Sequence, residues 1–258
     1  MTRSRTRLAA LGTLALASAA ALGTTAGLAG GATVAAAGGG GDTGNSGETA
    51  LPQTLAGIKA RAAADVTDRV NALDAAVAKV DAAKGLGAGE SVLVAYLGAD
   101  VAPLQQLSQK IEADTTVQQA AKDFSTIFSG FRVYLLVLPA AHVAADADGA
   151  TATGIPALTA AATKAQAHVN PSNQAELQPL LDDLNSQIAT ITSATHGLAA
   201  TVLAFTAAQW DANHGLLSAT ESSAQAARAA LAKGRDDVRQ IRQDLTGSSA
   251  RSATPLTS

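Results

Sequence analysis

Leu217, Ala224, Leu231, Val238 and Leu245 recur every seven residues, and Thr220, Ala227, Gly234 and Ile241 fill the second seam position between them. A strand would alternate every two residues; a seven-residue repeat of apolar and small side chains is the mark of a helix lying along other helices. The same steps of three and four run through most of the chain. They link Leu55, Ile58, Ala62, Val66, Val70, Leu73, Val77 and Val80, with a stutter around Val66 that locally relaxes a left-handed supercoil. Leu93, Leu97, Val101, Leu104 and Ile111 follow, then Leu177, Leu181, Leu184, Ile188, Ile191, Leu198, Val202 and Phe205.

Boundary signals cut this rhythm into elements. Gly85, Gly87 and Gly89 end the first helix, and Pro103 should kink the second, from about 90 to 113. Thr116–Gln119, Thr206–Gln209 and Ser218–Glu221 each have capping-box spacing, and Asn170-Pro171 reads as a cap followed by a first-turn proline. The expected fold is all-α, an elongated antiparallel helical bundle of five to six long helices with coiled-coil-like seams. Helices of about 25 to 35 residues would be roughly 40 to 50 Å long at 1.5 Å per residue. Arg228, Arg235 and Arg242 share one heptad position on the last helix, as do Asp74 and Asp81 on the first. These rows either pair the two helices or form solvated faces.

The segment Gly130 to Asp148, GFRVYLLVLPAAHVAADAD, breaks the alanine-spaced pattern. With Phe124 and Phe128 upstream it gathers three of the four phenylalanines, Phe131 included, and Tyr134. It is the expected hydrophobic centre. Gly130 and Pro139 bracket eight residues that suit a buried strand-like crossing or a buried helix, and the three-four rhythm through Leu135 and Leu138 favours the helix. Eight residues are too few to span a bilayer.

The amino-terminus predicts a destination. Arg3, Arg5 and Arg7 precede the apolar run Leu8 to Leu22, and Val34-Ala35-Ala36-Ala37 supplies small residues before a glycine run. That order describes a secretory signal peptide over 1–37, with an uncleaved anchor as the rival reading. Residues 38–50 are a flexible Gly-rich tether, 51–245 the helical bundle domain, and 246–258 a disordered Ser/Thr-rich tail. Cleavage would leave 15 basic against 21 acidic residues, a net charge of −6. An acidic exported chain lacks the basic footprint that nucleic acid requires. No membrane span is expected after signal cleavage.

Known catalytic spacings are missing from the sequence. There is no cysteine, no Gly-x-Ser-x-Gly, no phosphate-binding glycine loop and no His-Glu-x-x-His. His142 and Asp146 stand four apart and would share a helix face. Asp146-Ala-Asp148-Gly149 departs from a calcium loop in its glycine position, and reads as an exposed helix end finished by Gly149. No catalytic, cofactor-binding or metal-ligating set is assigned, and no cofactor is expected. The residues singled out as ligand or partner contacts are Tyr134, His142, Trp210 and His214. The histidines are otherwise spread over separate segments, and a lone tryptophan at a helix corner commonly closes a core.

Phe131-Arg132-Val133-Tyr134, Pro139 and His142, then Thr206, Trp210, Asn213-His214 and Leu216-Leu217, together resemble a group of uncharacterised exported, alanine-rich helical proteins of actinobacteria. The resemblance covers about residues 55 to 245. It implies an exported all-α protein and carries no activity. The functional expectation is an exported non-enzymatic helical bundle, acting as a structural or interaction protein whose partner is another protein or a cell-envelope component. Self-association through 217–245 is compatible with the heptads. The alternative is a small-molecule or lipid-binding module with a pocket near Tyr134, His142 and Trp210.

Overall fold

The structure, a computed structural model, describes residues 54–252. The expected signal peptide, tether and last tail residues lie outside them. The described residues are helical and contain no strand. Ten α-helices follow in order: α1 Leu55–Ala82, α2 Gly89–Gly98, α3 Val101–Ala113, α4 Val117–Ser129, α5 Leu138–Gly149, α6 Ile155–Gln166, α7 Gln174–Thr195, α8 Leu198–Leu203, α9 Ala207–Ala212 and α10 Ser218–Ser252. A single π-helical turn, Val133–Val137, leads into α5, and a second, Ala150–Gly154, joins α5 to α6, making one central helix.

The two π turns share one cause. Pro139 and Pro156 sit in the first turns of α5 and α6. A proline there offers no N–H to the carbonyl one turn back, and its ring would strike that carbonyl. Widening the turn resolves both problems, because the bond then reaches five residues back. Leu138 donates to the Val133 carbonyl, and Ile155 to the Ala150 carbonyl. The stretch 131–138 is thus helical from Val133 onward, as the rhythm favoured, but in a shifted phase. Val133, Leu136 and Val137 are buried, while Leu135 and Leu138 are only half-buried. The helix does not end at Gly149 either. Gly149 is buried and the chain continues through it, with Ala140, Ala141, Val143, Ala144, Ala145 and Ala147 also buried.

Other boundaries moved for local reasons. The Pro103 region is a break instead of a kink, with α2 ending at Gly98 and Pro103 falling in the first turn of α3, where its missing donor costs nothing. Thr116 and Thr206 cap their helices as the spacing indicated. Ser218 does not: the Glu221 amide donates to the Leu217 carbonyl (2.8 Å), and the helix starts at Ser218 itself. Asn170-Pro171 lies in a turn ahead of α7. There the Asn173 side chain accepts from the Asn170 amide (2.8 Å) and donates to the His168 carbonyl (3.0 Å), delaying the start to Gln174. At the other end α10 runs to Ser252, seven residues into the expected tail. The next strong stop in the sequence is Pro255, which disfavours helix in the residue before it.

Packing divides into two cores. The first joins α1, α2, α3 and α4 to α5 and α8, through Leu73, Leu93, Leu97, Leu104, Ile127, Leu136 and Val202. The second joins α6, α7 and α10, through Leu158, Leu177, Leu181, Leu184, Leu231 and Ile241. On α10 every seam position from Leu217 to Ile241 is buried, and Leu245 partly so. Contacts fix the directions. Asp146 meets Arg228, Gly154 meets Leu231 and Leu158 meets Gly234, so α10 runs the same way as the central helix. Thr151 meets Thr195 while Leu158 and Leu184 meet at Gly234, so α7 runs against both.

The expected pairing of the first and last helices is corrected. Helix α1 lies on α2, α3 and α4, whereas α10 lies on α7 with α5 and α6. Asp74 and Asp81 are solvent-exposed, and Arg228 pairs with Asp146 of the central helix. A shared heptad position identifies a face but not the helix that meets it. The stretch Val117–Gln166 reaches a mean hydropathy of 1.5 and is long and apolar enough to cross a membrane by composition alone. A core helix passes the same test, and here α5 is packed against α1, α2, α8 and α10.

Candidate functional site

The four residues singled out from the sequence fall into three neighbourhoods. Tyr134, on the first π turn, is 39% exposed and lies against Arg69 of α1, whose guanidinium carbon stands 5.4 Å from the ring centroid. Arg69 also covers Phe128 at 4.5 Å, and Phe128 in turn makes an edge contact with Phe124, centroids 5.2 Å apart. Arg69 is 5% exposed, and its Nη1 donates to the Asp65 carbonyl (3.0 Å). The Asp65 carboxylate itself is held by Arg61 (2.9 Å).

Trp210 and His214 form the second neighbourhood, their rings 5.7 Å apart on and just past α9. This six-residue helix owes its local stability to a complete capping box: Thr206 accepts from the Gln209 amide, and the Gln209 side chain accepts from the Thr206 amide. No side chain of α9 is fully buried, though Trp210 rests on the first core. Its tie to the body is Asp211, which receives Arg132 through Nε (2.8 Å) and Nη2 (2.6 Å). Arg132 holds a left-handed backbone, φ +48°, in the bend that leads into the first π turn. Arg132 and Asp211 therefore fasten the Trp210 corner to the Tyr134 turn.

His142 belongs to a third group. Its Nε2 stands 3.6 Å from Asp146 Oδ2, and Arg228 Nη1 approaches the same oxygen at 3.4 Å from α10. Burial pushes the Asp146 carboxyl up, against the opposing pull of His142 and Arg228. His142 and Asp146 do share a face, as their spacing implied. The third member is a guanidinium, which repels a metal ion instead of binding one. Among the described residues no three His, Cys, Asp or Glu side chains converge.

Further buried acids line the joints between helices. Asp148 lies against Gly89 at the start of α2, and a Cβ there would stand 2.0 Å from its Oδ2. Burial raises the Asp148 and Asp100 carboxyls, and burial together with the Asp100 charge lifts the Tyr96 hydroxyl to about 12. Lys233 of α10 bridges Asp183 of α7 and Asp237 one turn along. Lys233 and Asp183 tie α10 to α7.

Two surface concavities lie elsewhere. One, about 430 Å³, is lined by Val66, Val70 and Asn71 of α1 and Gln105 and Gln109 of α3. The other, about 450 Å³, sits on the first turns of α7 at Gln174, Gln178 and Asp182. None of the four singled-out residues lines either. Arg69 and the Arg132–Asp211 pair escaped the sequence reading. Arg69 had a visible signal: it falls three after Val66 and four before Leu73, a charge within an apolar stripe. The second pair spans 79 residues and left no local trace.

No protein-family model matches the chain, and neither a curated protein nor a solved structure is similar to it.

Proposed function

We propose that this chain is an exported, non-enzymatic helical bundle, elongated and antiparallel with coiled-coil-like seams, that serves as an interaction or structural protein at the cell envelope or outside the cell. The observation that carries this reading is the use of buried polar side chains. Asp65, Asp123, Asp146 and Asp237 each meet a basic side chain within a helix or between neighbouring helices, at Arg61, Lys110, Arg228 and Lys233. Acid–base chemistry would instead draw such groups together in one cleft. Export rests on the sequence of residues 1–37. Its partner is a protein or an envelope component, and neither nucleic acid nor a cofactor takes part. Self-association through 217–245 would use the outer face of α10, since the seam residues are buried against the chain's own helices.

Fractionation of cells expressing the full chain tests the proposal. The expected result is recovery outside the cytoplasm, either with a new amino-terminus near residue 38 or intact in the membrane fraction as an anchored form. Intact chain confined to the cytoplasm overturns it. A second reading, a lipid or small-molecule module around Tyr134, His142 and Trp210, draws on the half-buried Trp210 and its fastening to the Tyr134 turn. Trp210 is the sole tryptophan. A blue shift of its emission on adding lipid vesicles would favour this second reading, and an unchanged spectrum would remove it.

A further inference from the structure

Among the described residues Arg69 is the one buried guanidinium, and its surroundings do not balance its charge. Only 5% of the residue is exposed. Among the described residues its contacts are the two aromatic faces of Phe128 and Tyr134 and a single hydrogen bond from Nη1 to the Asp65 carbonyl. No carboxylate lies within ion-pair distance of it, and the nearest candidate, Asp65, is already engaged by Arg61 at 2.9 Å. Buried charges are otherwise paired, because leaving water without a counter-charge is expensive. Asp123 has Lys110, Asp146 has Arg228 and Asp237 has Lys233. Arg69 alone of the buried ions lacks an opposite charge.

The remaining donors, Nε and Nη2, make no protein hydrogen bond and are not among the fully enclosed unpaired atoms, so their edge reaches the surface. Two parallel N–H groups on one edge match two oxygens of a single oxyanion. The Phe128 and Tyr134 rings lie 4.5 and 5.4 Å from the guanidinium carbon, and cation–π attraction restrains the group there. Tyr134 beside it is 39% exposed.

We propose that the outward edge of Arg69, between Phe128 and Tyr134, is a binding site for a phosphate group. This goes beyond the envelope role above and depends on neither export nor a Trp210 pocket. The phosphate could come from a lipid headgroup or from free phosphate, and the two sources are separable.

The test compares the wild-type protein with Arg69→Met. Thermal melting is followed in sodium phosphate and in sodium chloride at matched ionic strength and pH. Phosphate should raise the wild-type Tm above chloride, since a ligand that binds only the folded state stabilises it. Phosphate also raises Tm generally by exclusion from the protein surface, so Arg69→Met should keep only that part of the increment and lose the part that saturates with phosphate, whatever its own Tm. If that variant fails to fold, the Nε–H resonance of Arg69 in the wild-type protein is titrated instead, and phosphate should shift it saturably where chloride does not. Sedimentation with phosphatidylglycerol vesicles identifies the source. Arg69-dependent binding to vesicles assigns a lipid headgroup, and an Arg69-dependent response to inorganic phosphate alone assigns the free anion. A wild-type increment no larger than that of Arg69→Met, with an unmoved Nε–H resonance and no vesicle binding, overturns the proposal.

Discussion

The two cores of this protein are filled differently. In the first, Tyr96, Phe124, Phe128, Phe131, Phe205 and Trp210 pack with valines, leucines and alanines of α1 to α5 and α8. In the second, among the described residues, there is no aromatic residue, only Leu, Ile, Val and Ala, mostly from α6, α7 and α10. The second core meets closely enough that a Cβ on Gly234 would stand 2.8 Å from Leu158 and 3.4 Å from Leu184. Two ways of reaching close packing follow. The aliphatic core closes its gap by shedding side-chain volume at Gly234. The aromatic core fills its space with rings instead. The central helix belongs to both, and its second π turn, Ala150–Gly154, falls where one core gives way to the other.

The largest expected effects come from emptying each core in turn. Leu97→Ala in the first and Leu184→Ala in the second remove fully buried side chains, and each should cost about 2–5 kcal/mol. Because the central helix serves both cores, each variant should melt in one transition that coincides by Trp210 emission and by far-UV circular dichroism. If Leu184→Ala left the Trp210 midpoint unchanged, the cores would be independent and the comparison would describe two domains.

Filling space instead of emptying it should separate the cores more sharply. Gly234→Val overpacks the aliphatic seam, at a cost of about 1–3 kcal/mol. Gly85→Ala should cost a similar amount, about 1–3 kcal/mol, for a different reason. Gly85 has φ +95°, its carbonyl accepts from the Thr153 hydroxyl (2.8 Å), and a Cβ would lie 2.3 Å from Thr153 Oγ1. Gly98, whose Cβ would meet nothing within 4 Å, is the control. Alanine there should be neutral or stabilise by up to about 1 kcal/mol. Urea midpoints rank the three, and a Gly234→Val protein as stable as wild type would show the seam to be looser than its distances indicate.

Acidification probes the ionic joint between α5 and α10. Burial holds the folded-state pKa of Asp146 above its ordinary value, so the folded protein takes up the proton first. Its contribution to stability therefore rises as pH falls through the raised folded pKa, and levels off below the unfolded value near 3.8. Asp148 and Asp100 act in the same direction. Asp146→Asn should flatten the rise in Tm between neutral pH and pH 4, and an unaltered slope would show that the carboxyl does not titrate in that window. The smallest effect belongs to Arg132→Gly. It loses an exposed ion pair worth about 0.2–1 kcal/mol and relieves the left-handed φ of +48°. The net change in Tm should be slight. Trp210 emission, in contrast, should shift red as the α9 corner loosens, and an unshifted spectrum would show that Asp211 does not hold it.

Much of the second core was legible in the sequence because its signal is periodic. The heptad from Leu217 to Ile241 faces inward as its spacing implied, and Leu177, Leu181 and Leu184 meet it. Capping threonines were legible as well, since a cap is a local hydrogen bond. The first core was harder. Pro139 was read as the end of a segment, whereas it marks a phase change inside a helix, and periodicity has no symbol for a turn of altered width. Partner choice was illegible for a similar reason. The arginines of α10 advertise a charged face, but nothing local distinguishes Asp146 from Asp74 as the acid they will meet. The Arg69 edge was written in the sequence as a charge among apolar neighbours, yet only its lack of a carboxylate gives it meaning.

The contribution of α8 to the first core has a consequence in time. That core includes Leu198 and Val202 from α8 and Leu217 and Ala224 from the approach to and start of α10, although most of its mass lies before residue 150. A growing chain therefore finishes its aromatic half only after α7 has been made, when the start of α10 arrives. The aliphatic half waits for the rest of that same helix. Helix α10 completes both.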